Sequence, residues 1–178
     1  MKSETITVGG GCFWCTQEIF QELKGVVRVE AGYSGGTVPH PTYEQVCTGT
    51  TGHTEVAQIT FDPSMLGLND LLKVFFAVHD PTTLDAQGDD VGVQYRSVIF
   101  CRTPEQKTAA EAVIAELTAA KAFPAPIVTR VEPFTAFYKA EGHHQDYYRD
   151  NPYQPYCVNV IGPKLAKFRK LFKDELRH

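Results

Sequence analysis

Gly9-Gly10-Gly11-Cys12-Phe13-Trp14-Cys15 constrains this chain more than any other stretch. Ahead of it, residues 4 to 8 form a short β-branched run, and behind it Phe13, Ile19, Phe20 and Leu23 recur at helical spacing as far as Gly25. This reads as a strand, a tight turn and a helix, with Gly25 predicted as the C-cap. Adjacent glycines allow a sharp turn with close backbone approach, and they place Cys12 in the first turn of the helix. There the free N–H groups and the helix dipole stabilise a thiolate, which predicts a thiol pKa lowered from ~8.5 toward ~7 or below. Cys12 is thus placed as a nucleophile. The lesser alternative for Cys12 is a small buried residue, and Cys15 adds a Cys-x-x-Cys spacing of the kind that closes a disulfide at a helix N-terminus.

The rest of the chain interleaves strands and helices. Val26 to Tyr33 alternates into a second strand closed by Ser34-Gly35-Gly36, and the stretch holding Pro39, Pro41, Gly49 and Gly52 reads as loop. Glu55 to Phe61 is predicted as a third strand, and residues 68–79 as a helix capped by Asn69 or a neighbour. A Gly- and Asp-rich loop covers residues 80–92, before an apolar strand from Ser97 to Cys101. Residues 104–121 carry the clearest helix signals: Thr103 as N-cap, Pro104 at the first position and Gln106 completing a capping box. Ile127 to Val131 follows as a strand, and Lys164 to Lys173 as an amphipathic helix. Pairing of the second and third strands across a long loop does not suit a purely parallel, doubly wound sheet. The expected fold is an α+β two-layer sandwich with a mixed sheet, a ferredoxin-like core with extra loops and helices, forming one catalytic domain over residues 1–178.

Composition narrows the function. A net charge of -4 argues against nucleic-acid binding, which needs a clustered excess of Lys and Arg. No run reaches the ~20 apolar residues of a membrane span and no signal-peptide stretch opens the chain, so a cytoplasmic protein is expected; a monomer is the expected assembly, though no sequence feature fixes it. Five cysteines, scattered and odd in number, do not make a secreted disulfide framework. His143 and His144 invite a metal reading with Cys12, Cys15 and Cys157, but the spacing supplies no two local ligand pairs; no metal or cofactor is expected. A general thiol-disulfide oxidoreductase built on Cys12 and Cys15 is the rival reading.

Gly11-Cys12-Phe13-Trp14 resembles the signature of the A-type methionine sulfoxide reductases. Gly32 to Gly36, Pro41-Thr42-Tyr43, Thr51 to Glu55 and Gln87 to Ser97 resemble that family's other blocks in the same order. The resemblance implies reduction of the S epimer of methionine sulfoxide, free or in oxidised proteins, with thioredoxin as the reductant. It implies that Cys12 attacks the sulfoxide sulfur, that Phe13 and Trp14 wall the methyl pocket, and that Tyr43, Glu55, Asp90 and Tyr95 surround the oxygen. The chemistry requires such a set, because the oxygen must be protonated as it leaves; a buried, neutral Glu55 supplies the proton and phenols polarise the bond. The resulting sulfenic acid needs a second thiol. Cys157 matches the family's C-terminal resolving position in a Pro-rich segment, while Cys15 is nearer in sequence; both stay open. The chain departs from the common pattern in having Cys15 and no cysteine after Cys157, and in His40 and Asp85 where asparagines are expected. Cys101, ending an apolar run, is expected to be buried and inert, and Cys47 has no assigned role.

Overall fold

A computed structural model describes residues 3–176. In chain order its elements begin with β1 (Glu4–Gly9), α1 (Phe13–Gln21), β2 (Val26–Ser34), α2 (Tyr43–Cys47), β3 (Thr54–Phe61) and α3 (Leu68–Ala77). They continue with β4 (Ala86–Gln87), β5 (Asp90–Val91), β6 (Val98–Cys101), α4 (Pro104–Ala119), β7 (Arg130–Pro133), β8 (Phe137–Lys139), α5 (Tyr147–Asp150) and α6 (Gly162–Leu171). The main sheet runs β7-β6-β1-β3-β2-β8, antiparallel at every step except β6 with β7. The architecture is therefore α+β with a mixed sheet. Among the described residues no helix is long and apolar enough to cross a membrane.

Strand alternation sorts the core. Ile6, Val8, Ala57, Ile59, Phe61 and Ile99 share one face and are fully buried, packed under Ile19 and Phe20 of α1, Phe75 of α3, Ala110 of α4 and Phe168 of α6. Each large apolar side chain so buried contributes about 1.5–3 kcal/mol. On the opposite face Val56, Val98 and Phe100 are covered by Phe134 and Phe137. The register then sets the site: Val8 pairs with Ala57 and Tyr33 with Glu55, so β1 and β2 end beside the start of β3. The turn that follows β1, Gly10–Gly11, delivers Cys12 to that corner.

Several boundaries differ from the sequence reading. Helix α1 ends at Gln21 with Glu22 as its C-cap, so Gly25 does not cap it; Gly25 takes φ +90° in the turn into β2, packed against Leu66. The N-cap of α3 is Gly67, and Asn69 lies inside the helix. Thr103 does cap α4, accepting from the Gln106 amide at 3.2 Å, but Gln106 reaches elsewhere. Its Oε1 accepts from the Arg102 amide and its Nε2 donates to the Thr5 carbonyl, which ties α4 to β1. The supposed loop after Gly36 contains α2, whose complete capping box joins Thr42 and Gln45. The turn residues 80–92 contain the short β4–β5 hairpin, and the aromatic stretch after β7 contains β8.

Candidate active site

Cys12 is the N-cap of α1, extended at φ -64° and ψ 127°, and its side chain makes no cap bond. Its carbonyl starts the helix by accepting from the Cys15 and Thr16 amides at 3.2 and 3.4 Å. The preceding turn needs glycine: Gly11 takes φ +95°, and a Cβ there would lie 2.7 Å from the Gln87 side chain.

The expected lowering of the Cys12 pKa is overturned. Burial, and then the Glu55 carboxylate, push the thiol well above its ordinary value. The helix terminus gives little relief because it is shared. The Phe13 amide donates to Glu55 Oε1 at 3.2 Å, which leaves the Trp14 amide to address the sulfur. One amide does not offset the loss of water around a buried thiolate. Cys12 rests as a neutral thiol.

Glu55 is 1 % exposed, and its Oε2 is buried with no hydrogen-bond partner. Burial, opposed by the Phe13 amide and aided by Asp90, pushes its carboxyl up to about 8. It therefore carries a proton at neutral pH. Burial and then Glu55 also raise the Tyr43 and Tyr95 phenols, keeping both as O–H donors beside the carboxyl. The Tyr43 hydroxyl also bonds the exposed Cys47. Asp90 accepts from the Tyr156 hydroxyl at 2.5 Å, and the same hydroxyl hydrogen-bonds with the Cys12 thiol. The structure thus brings Cys12, Glu55, Tyr43, Tyr95 and Asp90 together.

Phe13 and Trp14 wall one side. Phe13 is fully buried, 5.6 Å from Tyr33 and 6.2 Å from Tyr43 between ring centroids. Trp14 stacks on Tyr147 at 3.8 Å and donates from Nε1 to His144 Nδ1 at 3.1 Å. His144 stacks in turn on Tyr43 at 4.2 Å, and Glu141 accepts from the Tyr33 hydroxyl and the Tyr43 amide. Tyr156 joins the wall with its ring edge-on to Trp14 at 5.7 Å. Tyr33, Glu141, His144, Tyr147 and Tyr156 were not singled out from sequence as site residues. The pair His143-His144 was noticed only as a metal candidate, yet His144 belongs to the aromatic wall. Among the described residues no three His, Cys, Asp or Glu side chains are grouped to hold a metal ion.

All five cysteines are free thiols. Cys15 is buried in the main core, which pushes its thiol up to about 11. Cys157 belongs to the same core, fully buried at the start of a π-helical turn (Cys157–Ile161), and its thiol is also raised by burial. The resolving candidate is thus packed away rather than presented on the surface. Cys101 is buried, as expected from its apolar run.

The quoted sequence blocks bind one another. His53 Nδ1 accepts from the Gly36 amide at 3.1 Å and its Nε2 bonds the Val38 carbonyl; Arg96 Nη1 donates to the carbonyls of Gly52 and Val93. A methyl at Gly36 would strike the Thr51 carbonyl and the His53 amide. Gly36→Ala is expected to cost about 1–3 kcal/mol through this overpacking, read as a lower midpoint in urea.

The profile of the peptide methionine sulfoxide reductase family matches residues 4–176. The chain is 57 % identical over 177 residues to the peptide methionine sulfoxide reductase MsrA of Thermus thermophilus, covering 99 % of each chain. The reduced form of Mxr1 from Saccharomyces cerevisiae superposes with a TM-score of 0.81 at 34 % identity, over 88 % of this chain and 90 % of that one. Methionine sulfoxide reductase A of Corynebacterium diphtheriae does so with 0.77 at 36 % identity, over 86 % and 78 %.

Proposed function

Because the chain belongs to the peptide methionine sulfoxide reductase family and is an oxidoreductase that reduces methionine sulfoxide, we propose that it acts on the S epimer, free or in proteins, through a sulfenic acid on Cys12. The observation that carries the mechanism is Glu55, whose carboxyl is pushed up to about 8 and whose buried Oε2 has no partner. A buried oxygen left unpaired costs about 1–3 kcal/mol, and a sulfoxide oxygen beside Cys12 is the acceptor that would take its proton.

The substrate methyl group lies against Phe13 and Trp14, after Tyr156 has moved aside. Tyr43 and Tyr95 donate to the sulfoxide oxygen, draining charge from the sulfur. Cys12 Sγ attacks that sulfur while Glu55 protonates the oxygen, and the thiol proton of Cys12 replaces the one Glu55 gives. The sulfur–oxygen bond of the substrate breaks, the hydroxyl passes to Cys12, and methionine leaves. Atoms balance as thiol plus sulfoxide giving sulfenic acid plus thioether. A simple thiol-disulfide oxidoreductase would leave Glu55 and the two phenols without a task. Incubation with the separated R and S epimers and a thiol reductant tests the reading: methionine should form from the S epimer, and turnover of R alone would refute it.

The sulfenic acid condenses with a second thiol, expelling water and forming a disulfide, which thioredoxin then reduces. Cys15 and Cys157 lie in one core beneath α1, which supports a relay: Cys15 captures Cys12, and Cys157 then takes Cys15, freeing Cys12 for another turn. Fully reduced protein mixed with excess sulfoxide and no reductant should then yield two equivalents of methionine per subunit, and one in either Cys15→Ser or Cys157→Ser. One equivalent in the parent, unchanged in Cys15→Ser, would leave Cys157 as the sole resolver. The antiparallel order β6-β1-β3-β2, with α1 and α3 packed on one face, supports the ferredoxin-like description of the catalytic domain.

A further inference from the structure

Helix α1 carries Cys12 and Cys15 at its start, and two carboxylates four residues apart, Glu18 and Glu22, at its other end. Like charges at this spacing destabilise a helix. Here each is matched by a guanidinium from a different element. Arg149 of α5 donates from Nε and Nη2 to Glu18 at 2.7 and 3.3 Å. Arg169 of α6 donates in the same way to Glu22 at 2.8 and 2.9 Å. Glu18, when it carries its proton, also donates a hydrogen bond to the Glu22 carboxylate; burial first, and this bond second, push Glu18 up to about 7. Their fork-to-fork geometry is the strongest form a surface ion pair takes, and Glu18 is only 6 % exposed at its side chain.

Between α5 and α6 lies the segment that bears Cys157. Its two flanks are pinned to α1 and to the turn that follows it: Gln21 Nε2 donates to Asp146 Oδ1 at 2.7 Å before the segment, and the Lys24 amide donates to the Glu175 carbonyl at 2.8 Å after it. Its middle is held differently. The Gln154 and Val158 amides bond only within the segment, Cys157 opens a π-helical turn, and the Tyr156 hydroxyl reaches Asp90 and Cys12. π-Turns recur where a helix must give way for function. The ends are clamped by charged pairs, whereas the centre is held by the packing of Cys157 and Ile161 in the core and by the bonds of the Tyr156 hydroxyl.

We propose that Glu18–Arg149 and Glu22–Arg169 form a double clamp that holds both ends of the Cys157 segment on the catalytic helix, so that the thiol can leave its packed site and still meet the oxidised cysteine within a small volume. Arg149 and Arg169 are positioning residues for the resolving step and take no part in sulfoxide reduction. The inference rests on the proposed sulfenic acid route. In the step concerned the Cys157 sulfur bonds to the oxidised partner's sulfur: where that partner is Cys15 of a Cys12–Cys15 disulfide, that S–S bond breaks and the thiol proton passes to Cys12, which leaves as a free thiol; where it is the sulfenic acid, the S–OH bond breaks and the thiol hydrogen leaves with the hydroxyl as water. A tether's effective concentration falls as the tethered length grows, so releasing both clamps slows capture without touching the chemistry that precedes it.

The test is a rapid-quench time course of the full chain with excess methionine sulfoxide and no reductant, following methionine formed and Cys157 thiol lost by alkylation and mass spectrometry. In Arg149→Gln/Arg169→Gln the first equivalent of methionine should appear at the parent rate while loss of the Cys157 thiol slows by roughly tenfold. Both arginines are half-exposed, so their replacement leaves the core packed. The exchange variant Glu22→Arg/Arg169→Glu should recover most of the speed lost in Arg169→Gln. Loss of the Cys157 thiol at the parent rate, equal slowing of both steps, or no recovery on exchange would each overturn the clamp. Failure of the underlying route shows elsewhere: the parent itself would form methionine without consuming Cys157, and the clamp would fall with it.

Discussion

Replacing Cys12 with serine is expected to abolish methionine sulfoxide reduction. A serine hydroxyl is far less acidic and less polarisable than a thiol, and it has no route to a sulfenic acid, so neither attack nor oxygen acceptance is possible. The loss should be complete within detection, in single-turnover assays as well as in steady state, and added thioredoxin or dithiothreitol should not restore it. The site itself should survive. Cys12 makes no side-chain cap bond and its backbone carbonyl starts α1, so serine preserves the helix. Cys101→Ala is the matched control, a buried thiol outside the site that should cost some stability through a small cavity and leave the rate alone. Measurable turnover by Cys12→Ser would remove Cys12 from the mechanism.

The second large effect belongs to Glu55. Glu55→Gln keeps the shape and the Phe13 amide contact but has no proton to give, and single-turnover reduction should slow by roughly 10²- to 10⁴-fold. The parent's rate should fall as pH rises through about 8, where Glu55 loses its proton, and the Gln variant should lack that limb. Stability carries the same sign. The folded-state pKa lies above the ordinary 4.5, so the contribution of neutral Glu55 is fully present below about 4.5 and is lost as pH climbs through about 8. Glu55→Gln should therefore gain stability relative to the parent between those limits, seen by comparing urea midpoints at pH 5 and pH 9. A slow variant with no such gain would mean that Glu55 is not the buried neutral acid described above.

The strand–turn–helix start, the strand at Glu55 and the helix behind Thr103 were legible because each announces itself locally, through alternation, glycine or a cap. So was the family, through its quoted motifs. The acidity of Cys12 was not, because a helix start supplies amides to whichever acceptor the fold brings, and Glu55 arrives from a distant strand to take one. Helix α2 was missed although Thr42-Tyr43-Glu44-Gln45 carries a capping box, since the surrounding prolines and glycines outweighed it. The aromatic wall from His144 and Tyr147 escaped notice because those side chains meet Trp14 only through tertiary packing. His40 and Asp85 show the reverse case. Both take positive φ, at 46° and 49°, which is the conformation asparagine tolerates best and which explains the expectation of asparagine at each.

The closed, neutral resting state of Cys12 bears on survival as well as on turnover. Peroxide reacts with thiolates, and here the thiol is uncharged, the residue is 8 % exposed and the sulfur hydrogen-bonds with the Tyr156 hydroxyl. A repair protein must remain reduced in the same oxidising surroundings that damage its clients. On the proposed route the reactive form is withheld until a bound sulfoxide displaces Tyr156 and draws the proton from Glu55, which directs reducing power to damaged methionine rather than to the oxidant that caused the damage.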